Sequence, residues 1–214
     1  MKILLATRNA KKLVELQRIV DAAGLAATIV GLADVDDYVD VPETGLTFAE
    51  NALLKATEGV KYTGLPSIAD DSGLAVDVLG GMPGIFSARW SGRHGDDDAN
   101  LDLVLAQIGD MPDTARTASF MCAAALALPD GRTFVTEGRM PGRLIRERRG
   151  SGGFGYDPIF VADAQTSAAQ SRDGQTSAVQ PRTNAELEPA EKDAISHRGQ
   201  AFRALAEIIA RELA

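Results

Sequence analysis

Two hydrophobic periods alternate along this chain. Lys2 to Ala6 is a short apolar run that reads as a buried strand. From Ala10 to Ala23 the spacing of Leu13, Leu16, Val20 and Ala23 predicts a helix, with Gly24 as its stop. Ala27 to Gly31 returns to strand character. Thr47 and Glu50 form a capping-box pattern, and Phe48, Ala52, Ala56 and Val60 continue one helical face until Gly64 and Pro66. Ser67 to Ala69 and Leu74 to Leu79 read as strands on either side of Asp70-Asp71-Ser72-Gly73. Asp98 to Ile108 predicts a helix capped by one of the aspartates. Thr117 to Leu128 and Arg132 to Glu137 predict a hairpin turned by Pro129-Asp130-Gly131. Met140 to Ile145 and Ile159 to Ala162 add strands. Pro189 suits the first turn of a helix. His197 to Leu213 is amphipathic, with Phe202, Leu205, Ile208, Ile209 and Leu213 on its apolar side. Strands and helices intermix throughout, which predicts an α/β class.

One stretch carries no such period. Gln165 to Thr183 is rich in Gln, Ser, Thr and Ala, and its first six residues nearly recur ten positions later. It reads as a flexible surface loop with no chemistry of its own.

Composition narrows the functional classes. The 214 residues can bury a sizeable core in one or two lobes. No apolar run approaches the ~20 residues needed to span a bilayer, and Met1 to Ala6 runs at once into polar residues, unlike a signal peptide. Cys122 is the only cysteine, so no intrachain disulfide forms and a reducing cytoplasm is the simplest compartment. The formal net charge of −8 disfavours a polynucleotide partner gripped through its phosphates. A phosphate-bearing ligand would instead need a few placed Lys or Arg residues and a divalent cation.

Several segments offer that chemistry. Gly152-Gly153-Phe154-Gly155-Tyr156-Asp157-Pro158 sets three glycines around an aromatic ring. Glycine permits close backbone approach, Phe154 offers a face for a planar base, and Asp157 a carboxylate for polar edges; a tight turn packed by one aromatic is the structural alternative. Thr7-Arg8-Asn9-Ala10-Lys11-Lys12 joins the first strand to a helix, where backbone N–H groups favour anions. It lacks the glycines of a Walker loop, and a plain helix start with solvated lysines remains open. In Asp70-Asp71, successive strand residues point to opposite faces. One carboxylate can therefore serve a metal or act as a base while the other holds a neighbouring turn; an Asx turn using Gly73 is the alternative. Glu43 could supply a second carboxylate to Mg²⁺. Asn51 and Lys55 share a helix face, with an exposed lysine as the default for Lys55. Ser196-His197-Arg198-Gly199 presents donors suited to a keto oxygen. An amino group there would oppose donor to donor at about 1–3 kcal/mol; the same residues could simply join two helices. No Gly-x-Ser-x-Gly elbow and no zinc-ligand spacing are present.

The ordered set resembles the inosine triphosphate pyrophosphatase family, the dITP/XTP pyrophosphatases. It comprises Thr7-Arg8-Asn9-x-x-Lys12, Glu43 to Ala52, Ala69 to Leu74, Pro83-Gly84-Ile85, Gly152 to Phe160 and Ser196 to Gly199, spanning nearly the whole chain. The resemblance implies a single two-lobed domain over residues 1–214. A long mixed β-sheet flanked by helices would carry an active-site cleft between the lobes. It also implies a homodimer and Mg²⁺-dependent hydrolysis of ITP, dITP and XTP to the monophosphate and pyrophosphate, cleansing the nucleotide pool. By family role, Thr7, Arg8, Asn9, Ala10, Lys11 and Lys12 would hold phosphates. Asp71 would act as general base and metal ligand with Glu43, and Ser72 would contact the substrate. Phe154, Gly155, Tyr156 and Asp157 would hold base and sugar, Lys192 phosphate or base, and His197 with Arg198 the purine keto group. The alternatives are a nucleotide pyrophosphatase of other base preference and a nucleotide-sensing module without turnover.

Overall fold

Strand β1 (Lys2–Leu5) is buried over its last three residues and pairs in parallel with β2 (Thr28–Gly31) on one side and with the start of β3 (Ser67–Val76) on the other. In this computed structural model, residues 1–22, 24–35, 38, 41–165 and 181–213 are described, and the side chains of Ala10, Lys11 and Glu15 are not. Strands β4 (Thr117–Ala127), β5 (Thr133–Leu144) and β6 (Phe160–Ala162) complete a mixed six-stranded sheet in the order β2-β1-β3-β4-β5-β6, with β5 and β6 antiparallel. β4 is buried along almost its whole length, which is why its sequence is apolar without alternation. β5 alternates exposed and buried positions over its second half, the mark of a strand with one solvated face.

Among the described residues the sheet is accompanied by α1 (Ala10–Ala22), α2 (Phe48–Thr63), α3 (Asp97–Gln107), α4 (Pro189–Ile195) and α5 (His197–Leu213). Only half of the capping box at Thr47 forms, because the Glu50 carboxylate accepts from the Leu46 N–H at 2.6 Å instead of from the Thr47 N–H. The Thr47 hydroxyl accepts from the Glu50 N–H at 3.1 Å, and Gly64 closes α2 in the left-handed region. Asp96 caps α3 through the Ala99 N–H at 3.2 Å. None of the described helices is long and apolar enough to cross a membrane.

The chain divides into two compact units. The first contains Met1–Asp71, Cys122–Gly138 and Arg198–Ala214; the second contains Ser72–Met121 and Arg139–His197. In the first, Leu16 and Val20 of α1 and Phe202, Leu205 and Ile209 of α5 pack with Ile3, Leu5, Ile68 and Leu126. Ala52 and Ala56 of α2 meet Ala69, Ala123, Ala125 and Ala127, small side chains that let helix and strand approach closely. The second unit is built on Leu74, Val76, Leu101, Val104, Phe120, Ile159 and Phe160.

Three expectations are corrected. Ser67 to Leu79 is not two strands around a turn, because β3 runs without interruption through Asp70-Asp71-Ser72-Gly73 to Val76. Gly73 is absent from the positive-φ glycines; a Cβ there would run into Ser87 Oγ and the Gly84 carbonyl, so close packing and not a turn requires it. Likewise the two strands read at Arg132–Glu137 and Met140–Ile145 merge into one, β5 (Thr133–Leu144), with Arg132 and Ile145 just outside it. The link between two helices read at Ser196–Gly199 is shorter than expected: Ser196 alone joins α4 to α5, and His197-Arg198-Gly199 forms the first turn of α5. Of the expected loop at 165–183, residues 166–180 lie outside the described residues.

Candidate active site

Successive residues of β3 engage different partners. Asp70, its side chain only 1% exposed, accepts from Lys12 Nζ at 2.8 Å on both oxygens and from Arg198 Nε at 3.2 Å. Burial alone would raise its pKa, but the two cations outweigh it and hold the carboxyl well below the usual carboxylate range. The neighbouring turn that one carboxylate was expected to hold is replaced by these cations. Asp71 accepts from Asn51 Nδ2 at 3.0 Å, and Lys55 Nζ lies 3.8 Å from its other oxygen. Here burial dominates, and the Asp71 pKa is raised. Two chemically identical side chains, adjacent in sequence, are thus set to opposite protonation tendencies by their surroundings.

Lys55 departs from the exposed default. Its ammonium is 2.7 Å from Glu43 and shares Asp71 as a second carboxylate neighbour. Burial would lower its pKa, yet Asp71 and Glu43 prevail and raise it, so it stays charged. Asn51 and Lys55 reach these acids because they stand one turn apart on α2. Both belong in the cluster, and the helical spacing was the signal for them. From the sequence Asp70 stands out only as the twin of Asp71; nothing there pairs it with residues 58 and 128 positions away.

The β1–α1 junction is held from within. The Asn9 N–H donates to Thr7 Oγ1 at 3.2 Å, and Asn9 Oδ1 accepts from the Lys12 N–H at 3.4 Å, starting α1. Arg8 Nη2 donates to the Tyr38 carbonyl at 3.1 Å. Ala10 and Lys11 belong to α1 by backbone.

In the second unit the glycine-rich loop forms a shallow seat. Phe154 is 56% exposed, and Lys192 Nζ sits 5.1 Å from its ring centroid in a cation–π contact. Asp157 is buried, and its Oδ2 accepts from the Phe154 N–H at 2.9 Å and from Lys192. Its carboxylate therefore braces the loop. Gly153, at φ +76, leaves the room that Asp157 fills. The Gly155 N–H donates to Asp97 Oδ2 at 3.0 Å, and the buried Tyr156 hydroxyl donates to the Ser87 carbonyl at 2.9 Å. Burial pushes the Tyr156 pKa up, so the phenol stays neutral. His197 is nearly buried and stacks on Phe120 with centroids 5.0 Å apart and planes 14° from parallel. Ser72 is half-buried on β3. Trp90 packs against the core of this unit and donates to Gln107 at 2.9 Å.

Fold and side chains define the class first: an α/β protein in which paired aspartates and cations line one strand and a glycine-framed aromatic seat occupies a loop. The chain belongs to the Ham1 family, whose pattern it matches over residues 3–208. It is 56% identical over 212 residues to a dITP/XTP pyrophosphatase of Streptomyces coelicolor, covering 99% of this chain and 98% of that one. A crystal structure of a nucleoside-triphosphatase, dITP/XTP pyrophosphatase, from Mycobacterium abscessus matches at 54% identity and a TM-score of 0.76, over 96% of this chain and 97% of that one. A Ham1 protein from Coxiella burnetii matches at 38% identity with a TM-score of 0.84 over 99% of both chains.

Proposed function

We propose that this chain is a nucleoside triphosphate pyrophosphatase acting on ITP, dITP and XTP, releasing the monophosphate and pyrophosphate. The observation that carries the reading is the divergence of Asp70 and Asp71. One is held as an anion between Lys12 and Arg198; the other is a buried carboxylate of raised proton affinity beside Glu43 and Lys55. The relatives' activity supports the same reading. Asp71 accepts the proton of a water as that water's oxygen attacks the α-phosphorus; the bond to the bridging oxygen breaks and pyrophosphate leaves. Lys12 and Lys55 supply positive charge toward the phosphates. Phe154 takes the base on its open face, and Lys192, held beside it, supplies a donor, which suits a keto oxygen over an amino group.

Mg²⁺ belongs to this proposal as cofactor, with Asp71 and Glu43 as its protein ligands. The Lys55 ammonium already lies against both carboxylates, so that position accepts a cation. One or two carboxylates, completed by waters and substrate phosphates, match the coordination this ion prefers. When bound it supplies charge neutralisation to the triphosphate. Following the family resemblance, the proposal extends to a homodimer in the cytoplasm with small-molecule substrates.

The test is pyrophosphate release from ITP, XTP, GTP and ATP with and without Mg²⁺. Release from ITP and XTP well above ATP, dependent on the ion, is the expected result. Release chiefly from ATP or a pyrimidine nucleotide would move the chain to another base preference. Nucleotide binding without release would make it a sensor.

A further inference from the structure

Asn184 belongs to none of the motifs above, yet it is almost fully buried, in the short turn Asn184–Glu186. Its Nδ2 donates to Asp157 Oδ1 at 3.2 Å. The other oxygen of that carboxylate holds the Phe154 N–H and Lys192, and Lys192 lies over the Phe154 ring. A short chain of contacts thus runs from Asn184 through Asp157 to both the ring and the ammonium of the seat. The amide has only one workable orientation, since turning it over would set its oxygen against a carboxylate oxygen. Held this way, Asn184 Oδ1 is enclosed without a hydrogen-bond partner among the described residues. An enclosed unpaired oxygen is unfavourable. A residue present only to fill this space would be apolar, as the neighbouring Ala185 is.

We propose that Asn184 is a positioning residue for base selection: it sets the rotation of the Asp157 carboxylate, and so fixes Lys192 and Phe154 where a 6-keto purine is preferred. This rests on the reading of the Phe154 loop as the base seat. Without the Asn184 donor the carboxylate is held only at Oδ2, by the Phe154 N–H and Lys192, and its rotation is less firmly fixed. Lys192 then keeps a partner that is less firmly oriented, and with it loses the geometry that favours a keto oxygen.

Asn184→Leu keeps the shape and removes both polar atoms. Four quantities decide the matter: kcat and KM for ITP and for ATP, equilibrium binding of IMP, and the thermal midpoint. The expected result is a KM for ITP and a Kd for IMP each raised about tenfold, the equivalent of ~1.4 kcal/mol. Turnover of ITP at saturation should be nearly unchanged, the ITP-to-ATP ratio of kcat/KM narrowed, and the midpoint no lower. A lowered midpoint with unaltered KM, Kd and ratio would overturn the proposal and leave Asn184 as packing. If the leucine variant does not fold, Asn184→Ser is measured in the same way, with the same outcomes deciding. The two readings fail separately. If wild type binds IMP in an Asn184-dependent manner but releases no pyrophosphate, the positioning role stands and the hydrolase reading falls. If wild type turns over ITP and the variants match it in every respect, only the positioning role falls.

Discussion

Lys12 Nζ stands 2.8 Å from both carboxylate oxygens of Asp70, linking the start of α1 to the middle of β3. Arg198, in the first turn of α5, adds a second cation to the same carboxylate. Three elements distant in sequence therefore meet on one buried charge, and this arrangement gives the first prediction. Asp70→Asn keeps the volume but leaves two part-buried cations without their anion. Breaking such a set should lower the unfolding free energy by about 3 kcal/mol, measured by urea denaturation at neutral pH. Stability equal to wild type would show the charge to be dispensable.

The same residue sets an acid limit. Its folded pKa lies below the unfolded value of about 3.9, so the native state binds fewer protons than the unfolded state as pH falls through that value. The stabilisation is complete above the unfolded pKa and is lost progressively below it. Urea midpoints taken from pH 7 down to pH 3 should fall less steeply in Asp70→Asn than in wild type. Parallel curves would remove Asp70 from the acid response.

Asp71 behaves in the opposite sense. Its raised pKa means that ionisation is unfavourable in the fold, so the stability contributed by its protonated form is lost as pH rises through the folded pKa. Asp71→Asn should leave the thermal midpoint equal or higher while kcat falls by about 100-fold or more. Near-normal kcat in the variant would refute the general-base role.

Phe154 exposes more than half of its surface, so little stability depends on it. Phe154→Ala should move the thermal midpoint only slightly, while the loss of base stacking, about 1–3 kcal/mol, raises KM for ITP roughly tenfold or more. An unchanged KM would remove the base from this ring.

Cys122 lies buried in β4, and burial drives its thiol pKa far up. A disulfide-exchange reagent should fail to label the native protein yet titrate one thiol per chain in concentrated guanidinium. Rapid labelling of the native protein would contradict its burial.

Legibility differed by the range of the interaction. The caps at Thr47, Gly64 and Asp96, the amphipathic stripe of α5 and the mixed α/β order were readable because each depends on residues within a turn or two of one another. The Asn51–Lys55 face of α2 was readable for the same reason. The Asp-Asp-Ser-Gly segment misled because its composition is that of a turn. Its charges are satisfied by Lys12, Arg198 and Asn51, and its glycine by the approach of Ser87, none of them local.

By itself, the sequence determined which side chains could carry chemistry and where most helices and strand stretches lie, though not that Asp70 to Gly73 continues one strand, since backbone periodicity and capping act over a few residues. Only the tertiary structure decided what the carboxylates became. It surrounded Asp70 with two cations, left Asp71 with Asn51 and a shared lysine, and turned Asp157 inward to brace Phe154. Proton affinity depends on burial and on charges within a few ångströms, and those neighbours come together only when the chain folds.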